Sequence, residues 1–239
     1  ALSVLRAGTA ARHVRGPALA ALGIIVVQIV LGAVTVLTNN APVTVALHLL
    51  VGTLFLGVVT VSAVASFIAP DRPWSMLRQP GRIAWLGVGA LFLVFVSGSI
   101  VVNAGAQAAC KSWPACFASP AAAGLVVVQL AHRSMVLIGS ALVVAFLVSL
   151  LRSKDADGVE RNLAIGGLGL LAAQVAVGAM SAVESSHTEF ADVHLAFGAA
   201  LWGVVVAVFA LRARGRQVRA QKPPIDGLPY GSSASHLSV

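Results

Sequence analysis

Charge is scarce in this chain. Of its 239 residues, 10% are charged and 58% are apolar, with a mean hydropathy of +0.92; soluble domains carry about 25% charged residues. A water-soluble core is therefore excluded. Regular alternation of apolar and polar residues is also missing from the apolar stretches. That excludes outer-membrane barrel strands, in which lipid-facing and lumen-facing positions alternate.

What is present is a series of long apolar runs. About 20 mainly apolar residues cross a bilayer as a helix. Pro17–Thr38, Val43–Ile68, Ile83–Gly105, Ala122–Leu151, Leu163–Val183 and Phe190–Leu211 each meet that requirement. The expected fold class is all-α, an integral membrane helical bundle of six transmembrane helices.

A net charge of +8 raises the question of nucleic acid, but the positions of the basic residues answer it differently. Arg6, Arg12 and Arg15 precede the first run, and Arg72, Arg78 and Arg82 separate the second from the third. Arg152, Lys154 and Arg161 lie between the fourth and fifth, and Arg212, Arg214, Arg216, Arg219 and Lys222 follow the sixth. Of the 16 basic residues, all except Lys111 and Arg133 therefore fall on one side. The positive-inside rule makes that side cytoplasmic. A multi-pass protein of a bacterial cell membrane with both termini cytoplasmic is expected, without a nucleic-acid partner.

This topology puts Cys110 and Cys116 outside, where thiols oxidise. The Trp113-Pro114 step between them can bend the chain enough for a disulfide, which is the expected state; two unpaired thiols are the alternative. No second Cys or His pair lies nearby to complete a four-ligand metal site.

The chain also repeats itself. Gln28–Gly52 aligns without a gap on Gln174–Gly198, pairing Gln28 with Gln174, Gly32 with Gly178, Ala33 with Ala179, His48 with His194, Leu49 with Leu195 and Gly52 with Gly198. Glutamine and histidine are costly within a membrane, so their coincidence carries weight. Four spans separate the copies, making the repeat parallel and its unit four helices long. The expected organisation is a second helix pair of an incomplete first unit over 1–82, a complete second four-helix unit over 83–212, and a disordered cytoplasmic tail over 213–239. The chain begins with Ala, not Met, and a truncated copy is the expectation.

Three histidines fall in the spans, His48, His132 and His194, all in the outer half of the bilayer. Imidazoles at similar depth on alternate, parallel helices suit a haem clamped between two axial ligands. Gly52, Gly198 and Gly139 lie on the histidine faces, where a porphyrin ring has room to lie; helix packing is their other reading. Arg133 is placed either to pair with a haem propionate or to reach the lipid headgroups. His13 and His236 belong to the cytoplasmic ends, and His187 to an outer connection beside Glu184, Glu189 and Asp192.

Together the run SGSIVVNAGAQAACKSWPACF, the segment QLAHR and the two Q-x3-GA…H units resemble the haem A synthase family over roughly 18–211. The resemblance implies two fused four-helix bundles, each with a histidine on its second and fourth helices. His132 and His194 match the ligand pair of the carboxyl-terminal bundle, which holds haem b, and Cys110 and Cys116 match its disulfide. His48 matches the last histidine of the catalytic half, on the substrate-haem side. That half also carries a Glu three residues before its own His-Arg. Here the only His-Arg step, His132-Arg133, follows Gln129 instead, so the first helix pair is expected to be lacking.

The activity implied is oxidation of the methyl group of haem O to the formyl group of haem A, for the cofactor of a terminal oxidase. Haem O is then the substrate, with a haem O synthase, an electron acceptor, membrane lipid and a second copy in a homo-oligomer as partners. A membrane b-type cytochrome that leaves haem unmodified is the first alternative. A proton-coupled transporter using the histidines is the second.

Overall fold

The computed structural model describes residues 12–67, 80–116, 123–184 and 188–213. These residues form six helices long and apolar enough to cross a membrane, and no strands. In chain order they are α1 (Arg12–Leu37), α2 (Pro42–Phe67), α3 (Gly81–Asn103), α4 (Ala123–Arg152), α5 (Gly158–Val183) and α6 (Thr188–Ala213). Arg6, Arg72, Arg78, His187, His236 and everything beyond Ala213 lie outside the described residues, as do the side chains of Arg12 and His13.

The helix ends depart from the apolar runs where local chemistry decides them. α5 starts five residues before Leu163. The Asp157 side chain accepts from the Glu160 backbone N–H at 2.8 Å, and Glu160 Oε2 accepts from the Asp157 N–H at 3.1 Å. This reciprocal cap satisfies donors that a helix start leaves unpaired, and so carries the helix into polar sequence. α3 stops at Asn103 because Gly105 takes a φ of 66°, letting Gly105 N–H reach Val102 O and Ala106 N–H reach Val101 O. α1 ends the same way with Asn39 in the glycine position, φ 54°, which asparagine tolerates.

The helices pair in sequence as α1 with α2, α3 with α4 and α5 with α6. Further contacts of α4 with α5 and of α3 with α6 close the last four into a ring. Its core is Val143, Phe146 and Leu147 from α4 against Leu201, Val205 and Val208 from α6, with Ala84 and Ala164 completing it. α2 packs on α3 and α6 from outside. There the Trp202 indole N–H donates to Thr53 O at 2.8 Å, and a Cβ on Gly57 would come within 3.2 Å of the same ring. α1 is outermost, packed on α2 with Val26, Ile29, Val30 and Val36 exposed.

Candidate functional site

His48 and His194 each lie six residues into their helices, about 9 Å along the axis, and His132 lies nine into α4, about 14 Å. The two repeat-related sites have the same construction. Gln28 on α1 reaches α2, its Nε2 donating to His48 O at 2.9 Å and standing 3.2 Å from His48 Nε2. On α5 and α6, Gln174 Nε2 stands 3.3 Å from His194 Nε2. Each imidazole rests on a glycine of the neighbouring helix. A Cβ on Gly32 would be 3.2 Å from His48 Cε1, and one on Gly178 would be 2.7 Å from His194 Cε1.

The glycines one turn beyond the histidines serve the glutamines. A Cβ at Gly52 or Gly198 would stand 3.0 Å from the amide of Gln28 or Gln174. Gly139 admits Val94 and the Ala90 carbonyl of α3. Where the sequence suggested room for a porphyrin, these three glycines allow helices to pack, the other reading given for them.

His132 has a different partner. Ser97 on α3 donates to Val94 O at 2.9 Å, and its oxygen lies 2.8 Å from His132 Nδ1. With its proton used, the hydroxyl accepts from Nδ1–H, which leaves the Nε2 lone pair of His132 unprotonated. No described residue bonds that nitrogen. His132 and His194 belong to helices of the same ring. His48 sits in the α1–α2 pair, outside the ring.

Arg133 is engaged with the loop that follows α3. Its Nη1 donates to Pro114 O at 2.9 Å and Ala115 O at 3.0 Å, and Nη2 to Cys110 O at 3.3 Å. Nothing in the sequence pointed to this contact. Cys110 and Cys116 are joined in a disulfide with α-carbons 4.9 Å apart, as expected, and the peptide between Trp113 and Pro114 is cis. Buried Gln129 also holds the loop, donating to Gln107 O at 3.2 Å.

A protein-family model described as cytochrome oxidase assembly protein, COX15-CtaA, matches residues 1–206. The chain belongs to this family. Among curated proteins it is similar to a protohaem IX farnesyltransferase of Roseiflexus castenholzii, 27% identical over 154 residues, covering 60% of this chain and 27% of that protein. The farnesyltransferases of another Roseiflexus and of Chloroflexus aurantiacus are 30% and 29% identical, covering 60% and 66% of this chain and 27% and 29% of theirs. The chain spans about a quarter of the length of these relatives.

For this oxidase assembly family a haem is the group to test against the site. Among the described residues, Nδ1 of His194 and of His48 are buried without a hydrogen-bond partner, as are Oε1 of Gln174 and Gln28. An unpartnered buried polar atom costs about 1–3 kcal/mol. The Nε2 atoms of His48 and His194, facing only an amide N–H, and the Nε2 of His132 on the far side of its ring from Ser97, fit axial ligation of haem iron in their chemistry.

Proposed function

We propose that this protein is a haem A synthase-like membrane oxidoreductase that oxidises the methyl group of haem O to the formyl group of haem A. The observation that carries this reading is the doubled glutamine–histidine site. One copy, at His194, lies in the same ring of helices as His132, whose Nδ1 stands 2.8 Å from the Ser97 hydroxyl. His132 and His194 would hold a haem b, and His48 would serve the substrate haem in the other half. The bound haem b supplies one-electron transfer.

The chain's own residues prepare the site. Ser97 keeps the His132 proton on Nδ1, so that Nε2 offers its lone pair. Arg133, anchored by three loop carbonyls, retains further N–H groups for a propionate. Converting a methyl to a formyl group takes its oxygen from one water molecule and releases four protons and four electrons, so the electrons leave to an external acceptor. The matched relatives are named for farnesylating protohaem IX. That step makes the farnesylated haem this reading takes as substrate.

The test is to produce the full chain in a membrane host that makes haem O but has no haem A synthase, then identify the extracted haems by chromatography and mass spectrometry. Haem A is expected. Haem b in the protein with haem O unchanged would support the b-type cytochrome, and a purified protein without a Soret band the transporter.

A further inference from the structure

We propose that Gln174 is the positioning residue for His194, as Gln28 is for His48, holding the ring before ligation and accepting its Nδ1–H afterwards. The inference rests on the haem reading above and adds residues that reading does not need. At the Gln28 site the amide N–H groups face both the His48 carbonyl and Nε2. Nε2 is then an acceptor, and the ring proton belongs to Nδ1. In each pair the two unpartnered buried atoms are therefore complementary, a ring N–H and an amide carbonyl oxygen.

Ligation of a metal through Nε2 takes away the acceptor that the amide N–H now faces. The carbonyl oxygen of the same amide is itself buried without a partner, and pairing it with Nδ1–H removes both orphans at once. Metal-bound histidines usually donate their other N–H to such an acceptor, which fixes the ring and raises its basicity. Glycines on both sides make this close approach feasible. Gly178 takes the ring and Gly198 the amide, as Gly32 and Gly52 do in the other copy. The recurrence of all four residue types at equivalent positions is the second, independent support.

The experiment is an optical redox titration of the haem-loaded full chain with Gln174 altered in two ways. Gln174→Met keeps length but removes the acceptor, so the imidazole donates less charge and the haem b reduction potential should rise with its low-spin spectrum retained. Gln174→Glu keeps an acceptor, and its potential should lie at or below that of the wild type. A wild-type potential in Gln174→Met, or a rise in Gln174→Glu, would overturn the proposal, and the Glu variant decides alone if the Met variant does not fold. His194→Ala separates the two levels. A low-spin spectrum surviving in that variant would remove the haem reading itself, whereas loss of haem there with unmoved glutamine variants would remove only the role of Gln174.

Discussion

At Gly178 a side chain has no space. Its Cβ would stand 2.7 Å from Cε1 and 3.0 Å from Nδ1 of His194, whose Nε2 meets Gln174, one turn before Gly178 on α5. Overpacking of this kind costs about 1–3 kcal/mol. Gly178→Ala should therefore lower the thermal unfolding midpoint in detergent and reduce haem retention. Gly203→Ala, whose Cβ meets nothing within 4 Å, should be neutral or slightly stabilising, since alanine is the better helix former. Equal midpoints for the two variants would contradict this. Ser97→Ala removes the acceptor that orients His132; loss of such partners costs about 10–100-fold in metal affinity. Haem titration of the apoprotein should show weakening of that order, with helix content unchanged. The histidines, glutamines and glycines were all legible in the repeat, but their partnership was not. Gln28 meets His48 across a helix turn-around, and Ser97 meets His132 from another helix, so no local pattern joins them.

Between α3 and α4 the outer connection is held at several points. The disulfide closes a loop with a sequence separation of 6, which in the chain-entropy model stabilises it by about 2 kcal/mol. Arg133 then ties three of its carbonyls to α4, next in sequence to His132. Arg133→Ala should speed amide exchange across 106–116 while mass spectrometry of unreduced protein still finds Cys110 linked to Cys116. Unchanged exchange would show that the disulfide alone fixes the loop. At the opposite end of the bundle, Glu160 accepts an ion pair from Arg212 at 3.3 Å as well as capping α5, tying α5 to α6. The sequence located both cysteines and the basic residue. It could not show that Arg133 faces the loop, because an arginine near an outer helix end has headgroups, propionates and carbonyls within reach.

Across the whole molecule, apolar length was enough to read six helices, because a bilayer leaves the backbone few other solutions. Which helices meet was harder to read. The repeat relates α1–α2 to α5–α6, but the closure of α3, α4, α5 and α6 into a ring depends on packing by Phe146, Leu147, Leu201 and Val205 from distant segments. The distribution of lysine and arginine predicts both ends on the cytoplasmic side. In sealed cells, protease added outside should spare a tag placed after Val239, and its removal would reverse the topology. The central claim concerns the ring: His132 and His194 together ligate one low-spin haem b, while His48, outside it, does not. The most direct measurement is the reduced-minus-oxidised spectrum of the purified protein with each histidine replaced by alanine. His132→Ala and His194→Ala should turn the haem high-spin or lose it, and His48→Ala should leave the spectrum nearly unchanged; an unaltered low-spin spectrum in His194→Ala would contradict the account.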